Sequence, residues 1–143
     1  MNLAQAVDWA TEFLKNKGIE EPRLESEILL SHLLRSRREF LISNAEDPIG
    51  LPNFLKYIAL IDRRGDHEPT AYITGIQPFM SLDFMVDRKV LIPRPETERL
   101  VEVALDSINR DWGLGTGDLG EVAIADIGTG SGNIALALFP PLN

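Results

Sequence analysis

The sequence predicts an α-helical bundle at the N-terminus, a β-hairpin connector, and then the start of an α/β domain. Three observations carry this reading. Apolar residues recur at helical spacing through residues 1–75. After Gly75 the period shortens towards two, the alternation of a strand. Further on, the apolar run Glu121-Val122-Ala123-Ile124-Ala125-Asp126-Ile127 leads straight into Gly128-Thr129-Gly130-Ser131-Gly132 and a short helical pattern. The expected parts are residues 1–75, 76–93 and 94–143.

Leu3, Ala6, Val7, Ala10, Phe13 and Leu14 draw one apolar stripe along a first helix, which Asn2 can cap and Gly18 can end. Pro22 suits the first turn of a second helix, because its missing N–H has no partner to lose there. That helix is expected to bury Leu24, Ile28, Leu29, Leu33 and Leu34. Ser36-Arg37-Arg38-Glu39 has capping-box spacing and predicts a third helix carrying Phe40, Leu41 and Ile42 inward. Phe54, Leu55, Ile58 and Ile61 mark a fourth, closing near Gly65. Stripes of this kind are buried only against one another, as a bundle.

In the connector, Phe79 to Val86 reads as one strand, paired with Val90-Leu91-Ile92 across an Asp87-Arg88-Lys89 turn. A helix from near Glu96 then presents Leu100, Val101, Ala104, Leu105 and Ile108 on one face. Residues 113–120 are a loop by composition, and the Gly115-Thr116-Gly117 inside them follows no strand.

Composition sets limits on function. An apolar share of 44% with 25% charged residues is that of a soluble globular protein with a real core. No apolar run approaches the roughly 18 residues of a membrane span. The first residues, Met1-Asn2-Leu3-Ala4-Gln5, lack the pattern of a secretory signal. The absence of cysteine excludes disulfides and thiolate metal sites, and no metal is expected. These features fit the cytoplasm. A net charge of −8 opposes binding to phosphate backbones and suits a basic protein partner better. Arg35, Arg37 and Arg38, and Arg63 and Arg64, read as solvated helix ends.

The chemistry concentrates at Asp126 to Gly132. Strand, glycine loop and helix are the context of a nucleotide-type loop, where the backbone must turn sharply and admit a ligand. A dinucleotide site needs G-x-G-x-x-G, but Asn133 stands at the third glycine. The pattern present is D-x-G-x-G-x-G, the first motif of Rossmann-like methyltransferases. Asp126 can accept hydrogen bonds from an ammonium group, and Gly128, Thr129, Gly130, Ser131 and Gly132 complete the candidate cofactor loop. A second signal is Pro93-Arg94-Pro95-Glu96-Thr97-Glu98, which physics alone reads as a well-capped helix start with two carboxylates in its first turn.

Leu91 to Glu98, preceded by Leu82-Asp83-Phe84 and followed by Asp126 to Gly132, closely resembles the HemK-type family of peptide-chain release factor glutamine methyltransferases (PrmC). Pro22-Arg23-Leu24-Glu25 and Glu68-Pro69-Thr70-Ala71-Tyr72-Ile73-Thr74-Gly75 resemble that family's helical domain. The resemblance covers roughly residues 20–138. Met80, where family members often carry Trp, and the glycine-rich 113–120 depart from the pattern.

The resemblance implies a helical substrate-recognition domain, a hairpin connector, and the truncated start of a Rossmann-like α/β methyltransferase domain. It implies S-adenosylmethionine as cofactor, peptide-chain release factors as partners, and methyl transfer to the glutamine amide of their Gly-Gly-Gln motif. No membrane and no direct nucleic acid are expected. The family's Asn-Pro-Pro-Tyr motif has no match, since Phe139-Pro140-Pro141-Leu142-Asn143 lacks the Asn and the Tyr. The chain is therefore expected to be too short for the whole catalytic domain, to bind cofactor weakly and to lack a catalytic residue. Two other readings stay open: an adenine-specific DNA amino-methyltransferase, against which the charge and the helical front count, and a non-catalytic protein-interaction module.

Overall fold

The computed structural model describes residues 1–112 and 124–139, apart from the side chains of Asn109, Asp111 and Trp112. The chain divides into two compact units between Thr74 and Gly75.

The first unit is a bundle of α1 (Leu3–Asn16), α2 (Pro22–Leu34), α3 (Arg38–Ser43), α4 (Leu51–Gly65) and the single-turn α5 (Thr70–Thr74). Its start is fully satisfied. Asn2 accepts from Gln5 N at 2.8 Å, and the Gln5 side chain accepts from Asn2 N at 3.1 Å, a reciprocal capping box. Leu3 N and Ala4 N donate to Asp47 O and Ala45 O, each at 3.0 Å, and Ile49 N donates to Met1 O at 3.2 Å. The first amides of α1, which have no partner within the helix, are thus taken up by the loop between α3 and α4.

Leu3, Ala6, Val7, Ala10 and Leu14 are buried as the spacing predicts. Gly18 ends α1 with φ of 73°, donating to Lys15 O while Ile19 N reaches back to Leu14 O. This six-to-one, five-to-two closure recurs at α2, where Arg35 is left-handed, and at α4, where His67 is.

Three expectations for the bundle are corrected. Ser36 does not cap α3. Its N–H closes α2 by donating to Ser31 O, and α3 starts after Arg37 with no side-chain cap, so the Ser36–Glu39 box does not form. Of the trio predicted inward on α3, Leu41 is buried, but Phe40 and Ile42 are exposed. On α2 the buried face is Ser26, Leu29, Leu30 and Ser31, while Leu24, Ile28, Leu33 and Leu34 are only half-buried. The face turns this way because Tyr57 of α4, fully buried, donates its hydroxyl to Ser26 O at 2.9 Å. On α4, Tyr57 and Ile61 face the core, and Leu55 is exposed. α4 closes at Gly65 as expected; that residue is buried in the last turn, where an added Cβ would stand 2.7 Å from the Phe13 ring.

Trp9 stacks on Phe13 and meets Phe54 and Tyr57 edge-on, which seals the bundle with aromatic contacts. Arg64 and Thr70 both bond Glu25, joining α4 and α5 to α2. The Ser31 hydroxyl, by contrast, is buried without a partner among the described residues. Ser31→Ala is expected to raise stability by about 1 kcal/mol, because the hydroxyl's desolvation is uncompensated and Ala is the better helix former. A lower urea midpoint for that variant would contradict this account.

The second unit opens with a hairpin of β1 (Ile76–Phe79) and β2 (Leu82–Met85), antiparallel with Ile76 opposite Met85 and Phe79 opposite Leu82. Its turn is Met80-Ser81, inside the stretch predicted as one strand, and Val90 to Ile92 form no strand. Both turn residues have positive φ, 49° and 64°, the mirror-image turn that fits the twist of two strands. The usual glycine signal is missing, so the local pattern conceals it. Phe79 and Phe84 are buried and meet edge-on at 6.0 Å.

α6 (Pro95–Trp112) follows, with Val101 fully buried and Leu100 and Val103 exposed. α7 (Asn133–Leu138) packs against it. Of the strand predicted over 121–127, residues 121–123 lie outside the described residues, as does the loop 113–120. Residues 124–126 run as irregular backbone into a turn at Ile127. No helix among the described residues is long and apolar enough to cross a membrane.

Candidate functional site

The glycine loop alternates in handedness. Gly128, Gly130 and Gly132 have φ of 79°, 56° and 75°, a region where L side chains are strained. Every second position therefore excludes a Cβ, which explains the x-G-x-G-x-G spacing by backbone conformation alone. The space beside the loop is open as well. An added Cβ would meet nothing within 4 Å at Gly128, and only Gly128 O at 3.9 Å from Gly130.

Side chains within the loop hold one another. Thr129 Oγ1 donates to Asp126 Oδ2 at 3.0 Å, so one carboxylate oxygen is engaged internally and the other has no partner among the described residues. Gly132 N donates to Thr129 O at 2.8 Å and closes the turn. Ser131 Oγ bonds Asn133 Oδ1 at 2.9 Å, and Asn133 is itself buried. Asn133 takes no part in the predicted site, yet it orients the Ser131 hydroxyl. Its place at the third glycine of a dinucleotide pattern was the available signal.

Ser131 also lines an open cleft of about 510 Å³. The opposite wall is β2, with Leu82, Asp83, Phe84 and Met85, and Leu136 and Phe139 complete it. The cleft is largely apolar, with Asp83 and Ser131 as the polar residues of its lining. Sequence spacing does not reveal this pairing, because the two walls are distant in the chain.

The Pro93–Glu98 segment divides. Pro93 is buried, Arg94, Pro95 and Glu96 are exposed, and Thr97 and Glu98 are half-buried. Thr97 N donates to Arg94 O at 3.0 Å, which starts α6. Glu98 Oε1 accepts the Met80 N–H of the hairpin turn at 2.8 Å. No hydrogen bond among the described residues joins this segment to Asp126–Gly132. No cluster of three or more His, Asp or Glu among the described residues could hold a metal ion.

The arrangement offers a carboxylate, two hydroxyls and side-chain-free backbone around an open space. An open, Cβ-free loop with a half-engaged carboxylate fits a small ligand that carries an ammonium group.

Comparison with known proteins bears on the family. The family model of the PrmC N-terminal domain matches residues 5–75. The chain is 39% identical over 132 residues to a release factor glutamine methyltransferase of Rhodopirellula baltica, covering 92% of this chain and 43% of that one. It is 45% identical over 131 residues to the protein of that name from Buchnera aphidicola, covering 91% and 44%. A bifunctional methyltransferase of Rickettsia conorii is 35% identical over 153 residues, at 96% and 29%. The chain thus spans less than half the length of these relatives. It belongs to the PrmC-type release factor glutamine methyltransferase family and corresponds to the N-terminal part of its members.

Proposed function

We propose that this chain is the front part of a cytoplasmic S-adenosylmethionine-dependent enzyme that methylates the side-chain amide of the glutamine in the Gly-Gly-Gln motif of peptide-chain release factors. The observation that carries the reading is the identity of 39% and 45% over nine-tenths of the chain to relatives bearing that enzyme name. The loop supports it independently, because its glycines are left-handed and its carboxylate is half-engaged.

In this reading residues 1–75 recognise the protein substrate, 76–93 connect, and 94–143 begin a Rossmann-like domain. The cofactor, when bound, supplies an electrophilic methyl group. The chain's own part is to bind and orient. Asp126 receives the ammonium group through the oxygen that Thr129 leaves free, and the backbone at Gly128, Gly130 and Gly132 admits the ligand without side-chain obstruction. Thr129 and Ser131 hold the loop's shape through their own hydrogen bonds. No residue of the chain is assigned to the transfer step itself.

The test is incubation of the full-length protein with labelled S-adenosylmethionine and a release factor. One methyl group is expected on the Gly-Gly-Gln glutamine, and none when that glutamine is replaced by alanine. Label on adenine of added DNA instead, with none on the release factor, would overturn the reading.

A further inference from the structure

Met80 and Ser81 are both left-handed, at φ of 49° and 64°, in a turn whose usual occupants are Asn-Gly or glycine pairs. Neither residue takes this conformation readily, so something outside the turn must hold it. The ladder pairs Phe79 with Leu82 and leaves the Met80 N–H outside. That N–H donates to Glu98 Oε1 at 2.8 Å, across 18 positions of sequence, from the first turn of α6. A carboxylate at a helix start ordinarily serves the amides of its own helix. Here it serves the tip of a hairpin, and the bond is of the charge-assisted kind.

The strand that leaves this turn is the wall of the cleft. Leu82, Asp83, Phe84 and Met85 follow directly on Met80-Ser81, and Ser131 stands on the other side, between Gly130 and Gly132. We propose that Glu98 is a positioning residue that holds the Met80 amide, sets the hairpin tip, and thereby places the β2 wall against the glycine loop. The role rests on the methyl-transfer reading above. Glu98 touches no reacting group; it acts through the hairpin. Glu96, two residues earlier and exposed, makes no such bond and serves as the control.

The experiment compares Glu98→Ala, Glu98→Gln and Glu96→Ala in the full-length protein. Readouts are amide exchange at Met80, S-adenosylmethionine affinity, and kcat/KM for methyl transfer to a release factor. Glu98→Ala is expected to speed Met80 exchange and to lower both affinity and kcat/KM, each by about tenfold, the scale of one lost charge-assisted hydrogen bond. Glu98→Gln keeps an accepting oxygen and is expected to stay within about threefold of wild type, as is Glu96→Ala. Unchanged exchange or unchanged transfer in Glu98→Ala would overturn the positioning role alone. Equal damage in the Gln and Ala variants would overturn it too, because charge rather than the accepted bond would then matter. A wild-type protein with no methyl transfer would overturn the methyltransferase reading, and the positioning role with it.

Discussion

Gly130→Val is expected to weaken S-adenosylmethionine binding at least about tenfold and to reduce methyl transfer by at least as much. Gly130 sits at φ of 56°, where an L residue costs about 1–2 kcal/mol and a β-branched one is a genuine outlier. At about 1.4 kcal/mol per decade, that strain alone removes roughly 5- to 30-fold of the binding-competent loop. The branched side chain also projects into the space left open for the ligand. Packing is not the cause, since the first atom an added Cβ meets is 3.9 Å away. The variant should therefore fold normally and lose only the site. Gly130→Ala should fall between wild type and valine, as it carries the φ penalty without the branch. The measurement is calorimetric titration beside thermal melts; undiminished affinity in the valine variant would show that the cofactor binds elsewhere.

Tyr57→Ala is expected to cost the helical bundle about 3–5 kcal/mol through its lost volume, and somewhat more through the lost hydrogen bond to the Ser26 carbonyl. A unit of this size has roughly 4–11 kcal/mol of stability in all, at 0.05–0.15 kcal/mol per residue. The substitution should consume much of that margin and leave the first unit partly unfolded at ordinary temperature. Tyr57→Phe keeps the ring and should lose about 1–2 kcal/mol. Urea titration followed by circular dichroism ranks the three proteins; a Tyr57→Ala midpoint equal to wild type would remove Tyr57 from the core.

The same side chain sets an alkaline limit. Burial pushes the Tyr57 hydroxyl well above the usual tyrosine range, and the Glu27 carboxylate adds to the rise. The unfolded chain releases that proton near pH 10, so the unfolded state binds fewer protons above that point. Stability is therefore fully present below about pH 10 and falls as pH rises beyond it. Tyr57→Phe should flatten that fall, and an equal slope in both proteins would exclude Tyr57 as its source.

These residues also show what could be read without coordinates. Asn2 and Gly18 bound α1 through chemistry confined to a few neighbours, an accepting side chain at one end and a missing Cβ at the other. The glycine spacing at 128, 130 and 132 was legible for the same reason, since each demands its own backbone conformation. Ser36 was misread because Arg35 takes a left-handed cap despite its Cβ and draws the Ser36 N–H into the end of α2. The face of α2 depended on a hydroxyl arriving from α4, and the hairpin turn on a carboxylate arriving from α6. Neither leaves a trace in local periodicity. The cleft was hidden most completely, because Asp83 and Ser131 line one space only through the fold.

The stitching of Met1–Ala4 to residues 45–49 also fixes an order of events during synthesis. The first helix is made with two amides unclaimed, those of Leu3 and Ala4, and their carbonyl partners are encoded more than forty residues later. At about 5–20 residues per second those partners follow some 2–9 s behind. Until then α1 is a frayed, amphipathic segment with an exposed apolar stripe, the form in which a nascent chain is open to capture by chaperones. The loop between α3 and α4, not the first helix, completes this end of the bundle.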